Sequence, residues 1–256
     1  MTDFTLLLGD EQVVNFMLLF VRLSGLFVFF PFFSSATIYP TVKAAFAFYL
    51  AILLYPIAPP LAFEPTAMGV VAAVITEALL GFMAGFVLHL VFAMLQLAGE
   101  QISFVMGFSM ATAMDPISQT SSPMISQFFV LFATLLMLAF DGHHLILFFM
   151  ARSLETLPLG TFVMGEGFLI YSIEAFGWLF VMGFMIAFPI LALSILADVV
   201  FGMIMKTVPS FNLLVVGFPA KILVAFVVMI AVMGSIAFLF QKEFMKAFEA
   251  LGRVFY

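Results

Sequence analysis

The sequence predicts an all-α integral membrane protein with about six long hydrophobic helical segments, and three observations carry that prediction. Hydrophobic residues make up 66% of the 256 and charged residues only 9%, against the ~45–50% and ~25% usual in a soluble domain. The apolar residues fall in long uniform runs, without the alternating polarity of transmembrane strands. The stretches between runs are short and rich in residues that stop helices. A mean hydropathy of +1.30, with 37 Phe and 19 Met, leaves more apolar surface than a water-soluble fold can hide. Lipid or neighbouring membrane subunits must cover the rest.

The runs are 13–33, 42–61, 68–98, 125–150, 168–197 and 213–240. Each is near or above the ~20 residues that cross a bilayer as a helix. Ser34, Ser35, Thr37 and Pro40 separate the first two, and Pro56, Pro59, Pro60 and Pro65 the second and third, in keeping with turns and helix stops. No composition shift marks a boundary, so the reading is one membrane domain over 1–256. The acidic start, with Asp3, Asp10 and Glu11, lacks the positive n-region of a cleavable signal peptide. Lys242, Lys246 and Arg253 place the C-terminal tail in the cytoplasm by the positive-inside rule, while the acidic N-terminal tail is allowed outside. Six full crossings would put both tails on one side. The 68–98 run exceeds one crossing and ends near Gln96, Gly99, Glu100 and Gln101, so part of it is expected to leave the hydrocarbon.

Charge and residue types exclude several functions. A net charge of −6 with no basic face excludes nucleic acid as a partner. The absence of cysteine excludes disulfides, Cys-ligated zinc and iron–sulfur clusters. No GxSxG, HExxH, P-loop or GxGxxG motif is present, so no catalytic residue, cofactor or metal is expected and the chain reads as a non-enzyme.

The polar residues inside or beside the runs are the remaining candidates: Arg22, Lys43, Glu77, His89, Asp141, Asp198, Lys206 and Lys221. Charges in lipid are costly and normally face protein or a water-filled cavity. They belong either to an ion path or to pairs between helices or with partner subunits. Glu77 and His89 sit twelve positions apart, about 18 Å along a helix, too far for direct proton relay. In Asp141-Gly142-His143-His144 the adjacent histidines splay by ~100° on a helix, so the cluster reads as a helix break rather than a metal site. Gly81 and Gly85 form a GxxxG that lets helices approach, and Pro189 should kink the fifth run. The moderately polar 100–126 stretch reads as a long irregular insertion. Within it Met106, Met110 and Met114 fall at i, i+4, i+8, a stripe that either packs a core or forms an adaptable seal.

Several patches, in order along the whole chain, resemble one family. They are Phe20-Val21-Arg22-Leu23-Ser24-Gly25 to Pro31, Tyr39-Pro40-Thr41-Val42-Lys43 and Glu77-Ala78-Leu79-Leu80-Gly81 with Gly85. After these come Gly99-Glu100-Gln101-Ile102, Gly107-Phe108-Ser109 and Asp115-Pro116, then Asp141-Gly142-His143-His144-Leu145 with Arg152-Ser153. The last comprises Leu196-Ala197-Asp198, Lys206, Pro209, Asn212, Gly217-Phe218-Pro219 and Lys221. Together they resemble the flagellar biosynthesis protein R family (FliR), export-gate subunits of flagellar type III secretion; Lys206 stands where many relatives carry Arg, which keeps the charge but not the hydrogen-bond geometry.

The resemblance implies a non-enzymatic subunit of the bacterial inner membrane at the flagellar basal body. One copy would join several FliP and FliQ copies, near FlhB and FlhA, in the entrance pore for unfolded protein substrates. It implies a fused P-like part (about 1–160) and Q-like part (about 161–256), with helices forming hairpins in a cone largely lifted out of the bilayer plane. By position, the 106–122 loop helps plug the pore, with Met106, Gly107, Phe108, Met110, Met114, Asp115 and Pro116 as plug residues. Arg22, Lys43, Glu77, Asp198, Lys206, Asn212 and Lys221 are the buried polar or assembly residues, the last group (Lys206, Asn212, Lys221) holding the Q-like hairpin near the cytoplasmic entrance. The alternative is a small-solute or ion transporter or channel of the inner membrane, drawing on the intramembrane charges and Pro189; it lacks a charged cluster at one depth across two repeats.

Overall fold

The computed structural model describes residues 11–30, 38–108, 123–208 and 212–255. All regular structure among them is helical. The elements are α1 (Glu11–Phe29), α2 (Pro40–Leu54), α3 (Ala67–Met106), α4 (Met124–Ala139), α5 (Gly142–Thr156), α6 (Glu166–Thr207) and α7 (Phe218–Phe255). A 3₁₀ turn, Tyr55–Ile57, follows α2, and a π turn, Leu213–Gly217, precedes α7. Among the described residues five helices are long and apolar enough to span a membrane, α2 counted with its 3₁₀ turn as Pro40–Ile57, or six spans if the bent α4–α5 pair counts as one.

The six runs each correspond to a helix or helix pair, and the differences in their ends have a common cause. α3 continues through Glu100 and Gln101 to Met106, so the expected irregular stretch does not begin at residue 100. Straight-chain polar residues are good helix formers, and Gln96 Nε2 donates to Glu100 Oε1 at 3.2 Å, one turn away. α6 likewise runs past residue 197 to Thr207, unbroken through Pro189, and α7 runs on to Phe255. Hydropathy marks where lipid contact ends, not where the helix ends. The fourth run divides at Phe140–Asp141, as its sequence predicts, and α5 leaves α4 at 69°. Asp141 sits there at φ 58°, in the left-handed region that Asp tolerates better than most residues.

The backbone contacts divide the chain into two compact units. The first comprises Met1–Leu90, Met137–Ala175 and Phe244–Tyr256; the second comprises Val91–Leu136 and Phe176–Glu243. In the first unit α1 packs on α3 through glycine. A Cβ on Gly25 would stand 2.7 Å from the Ala78 carbonyl, one on Gly85 2.5 Å from the Leu26 carbonyl, and one on Gly81 would overlap the Arg22 carbonyl. The Gly81/Gly85 motif therefore does what its spacing predicts, letting two backbones touch. Phe16 and Phe20 of α1 meet Phe48 of α2 edge-on. Phe140 packs on Phe244, and Phe149 and Phe162 on Phe255. In the second unit Gly99 of α3 abuts Ser126 of α4, and the Ser126 hydroxyl donates to the Gln96 carbonyl at 3.2 Å.

Candidate functional site

Two polar constellations stand out, one in each unit. The first is built around Arg22, which is completely buried, as is Glu77. The close approach of α1 to α3 at Gly81 brings the two side chains together across 55 residues of sequence. Arg22 Nε donates to Glu77 Oε2, and Nη2 to Glu77 Oε1 at 2.9 Å, the planar fork matching the carboxylate edge to edge. The other guanidinium hydrogens reach the end of α5: Nη1 donates to the carbonyl and hydroxyl oxygens of Ser153 at 3.1 and 3.2 Å, and Nη2 to the Leu157 carbonyl at 3.0 Å. Glu77 Oε1 also accepts the Gly160 N–H at 2.7 Å.

Gly160 sits at φ 80° with the Phe63 ring where its Cβ would go, so only glycine presents its N–H to the carboxylate without strain. Two charges thus lie out of solvent with their donors and acceptors engaged, which is what makes a buried pair tolerable. This closed network uses Glu77 fully and separates it from His89, whose ring lies on Phe29 with centroids 5.7 Å apart. The sequence singled out Arg22 and Glu77, and Ser153 only within a patch of family resemblance, but not Leu157 or Gly160. The only hint was the Leu157-Pro158-Leu159-Gly160 turn composition.

The second constellation ties α6 to α7. Lys221 Nζ donates to both carboxylate oxygens of Asp198, at 2.8 and 2.7 Å. At the other end of the same two helices Trp178 Nε1 donates to Glu243 Oε2 at 2.8 Å, a pair the sequence reading missed. Moving from residue 198 back to 178 on α6 matches moving from 221 forward to 243 on α7, so the helices run antiparallel in steady register. Lys221 and Glu243 consequently lie at opposite ends of this hairpin, about 33 Å apart at 1.5 Å per residue.

The other expected residues divide as follows. Lys206 is exposed near the end of α6. Asn212 Oδ1 accepts the Val215 N–H at 3.3 Å and its carbonyl accepts the Val216 N–H at 3.0 Å, so it starts the π turn. Lys43 is half-buried in the first turn of α2. Met106 is buried at the end of α3. Gly107 follows at φ 85°, where a Cβ would press on the Phe218 ring at 3.0 Å. Phe108 is half-buried. Met110, Met114, Asp115 and Pro116 lie outside the described residues. At the α4–α5 break the His143 and His144 rings are 4.1 Å apart, and one ligand atom from each of Asp141, His143 and His144 lies within 4.8 Å of the others. The His144 N–H donates to the Asp141 carbonyl at 2.9 Å, so the turn itself accounts for much of this crowding.

Comparison with known proteins agrees with this architecture along the chain. The family profile for Bacterial export proteins, family 1, matches residues 13–247. The flagellar biosynthetic protein FliR of Bacillus subtilis is 32% identical over 240 residues, covering 92% of each chain. Its namesake in Aquifex aeolicus is 28% identical over 250 residues, 94% of this chain and 95% of that one, and that of Pectobacterium carotovorum 30% identical over 239 residues, 92% and 90%. The matched span runs from α1 nearly to the end of α7 and takes in both polar constellations. This membrane-spanning, all-helical chain therefore belongs to the bacterial export protein family 1, as a flagellar export component related to FliR.

Proposed function

We propose that the chain is a non-enzymatic subunit of the flagellar type III export gate in the bacterial inner membrane, at the basal body. One copy joins several FliP and FliQ subunits, next to FlhB and FlhA, to form the entrance pore for unfolded flagellar substrates, and its 106–122 segment plugs that pore when closed. The observation that supports this reading best is the end-to-end similarity to FliR proteins, with 92% of each chain aligned in one case. Residues 1–160 serve as the P-like part and 161–256 as the Q-like part.

The geometry adds weight against a solute or ion path. The buried charges Arg22 and Glu77 are consumed in a closed network, and Lys221 is held by Asp198. Large apolar side chains such as Phe180, Phe184, Phe188 and Val227 remain exposed on α6 and α7, a surface that lipid or neighbouring membrane subunits must cover. At the plug segment, buried Met106 and the positive φ of Gly107 beside Phe218 give the chain a defined exit from α3. Met and Phe side chains there would exclude water and ions while adapting to different polypeptides.

The direct test is a mild-detergent pull-down of this chain with its co-expressed neighbours, followed by native mass spectrometry. One copy of this chain with several copies each of two other small helical proteins is expected. A chain that runs alone or as a homodimer and binds a small solute would contradict the reading. For the plug, deletion of residues 110–118 is expected to raise ion conductance while leaving assembly intact; unchanged conductance in an assembled variant counts against it.

A further inference from the structure

We propose that Asp141, His143 and His144, at the break between α4 and α5, form a site for a single divalent transition-metal ion of the zinc class. The proposal rests on the local geometry of that break and not on the export reading.

Adjacent histidines point about 100° apart along a continuing helix. Here they occupy the first turn of α5, and their ring centroids stand only 4.1 Å apart, with the planes 37° from each other. Asp141 precedes them at φ 58°, where the chain bends by 69° between the two helices. Its Oδ1 lies 3.3 Å from His144 Nδ1. Two ligands, each ~2.0–2.1 Å from a tetrahedral ion, stand about 3.3–3.4 Å apart, so this pair already has the spacing of ligands on a shared ion. One ligand atom of each of the three residues lies within 4.8 Å of the others, and rotation of the side chains closes the remaining gap.

His143 supplies an independent observation. Its Nδ1 is buried and has no hydrogen-bond partner among the described residues, and such a buried, unpaired polar atom calls for a bound group to engage it. Behind this ring Phe27, Phe30, Phe46, Met137 and Ile146 line an apolar cavity of about 240 Å³, and none of them offers the imidazole a competing partner. Asp141 and His144 are 75% and 67% exposed, so an ion has access and its other coordination positions stay open. No other group of three such ligands comes together among the described residues.

The donor set selects the ion. Two imidazoles and a carboxylate suit zinc, cobalt, nickel or copper, whereas calcium and magnesium take oxygen ligands. The positive end of α5 opposes a cation and the carboxylate offsets it, so binding relies on the imidazoles. An ion held there would join the residue at the bend to the first turn of α5. It would thereby fasten the helix that ends near Ser153, where Arg22 is received.

The chain has three histidines and no cysteine, so few other groups compete. The full chain, carrying an affinity tag without histidine, is stripped with a chelator. It is then titrated with cobalt(II), whose visible absorption reports its coordination, and next with zinc. One cobalt per chain is expected, displaced by zinc, with a higher unfolding temperature in the presence of either ion. His143→Gln and His144→Gln, which keep good helix formers, should each weaken binding about tenfold or more. Asp141→Asn, which tolerates the left-handed backbone, should weaken it as well, and His89→Gln should leave it unchanged. Where a variant does not fold, X-ray absorption of the zinc-loaded parent decides alone, with scattering from two imidazoles expected. No cobalt signal in the parent, a zinc shell with fewer than two imidazoles, or unaltered binding in the His143→Gln/His144→Gln double variant would each overturn the proposal. Recovery of the neighbouring subunits alongside any of these outcomes leaves the export reading standing.

Discussion

Two ion pairs of the same chemistry do different things in this molecule. Arg22–Glu77 is wholly buried, whereas in Asp198–Lys221 the carboxylate is 58% exposed. The first pair is bidentate and adds the Ser153, Leu157 and Gly160 backbone, so it joins three distant stretches of the first unit. The second joins two helices of one hairpin that also hold each other at Trp178–Glu243. A buried pair is expensive to break but contributes little net when complete, because desolvation offsets attraction. In the Asp198–Lys221 pair only the ammonium is buried, and the carboxylate, 58% exposed, stays hydrated and partly screened, so the pair is weaker than the inner one. The difference teaches that the inner pair specifies which segments pack together, while the outer one positions a hairpin whose association comes from apolar contact.

The sharpest way to break the comparison is to remove one partner of the inner pair. Glu77→Ala leaves the Arg22 guanidinium buried without a counter-charge and releases the Gly160 N–H. A loss of about 3–5 kcal/mol is expected, large enough to abolish accumulation of folded protein, as read by membrane yield and thermal unfolding in detergent. Next comes Gly81→Ala, which places a methyl into the Arg22 carbonyl and pries α1 from α3. Its expected cost is roughly 1–3 kcal/mol by overpacking, with Gly234→Ala, where nothing lies within 4 Å, as the silent control. Gly107→Ala would force a side chain to a positive φ against Phe218 and should cost about 1–2 kcal/mol, seen as a lower melting temperature without loss of expression. Asp198→Asn is the smallest change. It keeps a polar partner for Lys221, and with the carboxylate more than half exposed the expected effect is below about 1 kcal/mol and shrinks as salt rises.

How much of this was legible in the sequence follows from the range of the interactions. Local signals were reliable: the six helical runs from hydropathy, the α4–α5 break from Asp141-Gly142, and close helix approach from Gly81 and Gly85. Arg22 and Glu77 stood out as costly charges in apolar surroundings. That they answer each other, 55 residues apart, is a tertiary fact that no periodicity encodes. The part played by Leu157 and Gly160 is carried by backbone atoms, which residue identity does not reveal. The ends of α3 and α6 were misjudged because apolar character stops at Ala98 and Ala197 while helix propensity does not. Trp178 and Glu243 were passed over because each is unremarkable alone; only the antiparallel register of α6 and α7 pairs them.

The Arg22–Glu77 network builds the first unit, while Asp198–Lys221 merely positions a hairpin. A pair of double-mutant cycles tests it most directly, using Arg22→Met with Glu77→Leu and Lys221→Met with Asp198→Leu, read by reversible unfolding in one detergent. The account predicts a coupling of about 2–3 kcal/mol for the inner pair, with the double variant more stable than either single variant, and less than about 0.5 kcal/mol for the outer pair. Equal couplings, or additive effects at Arg22 and Glu77, would contradict it.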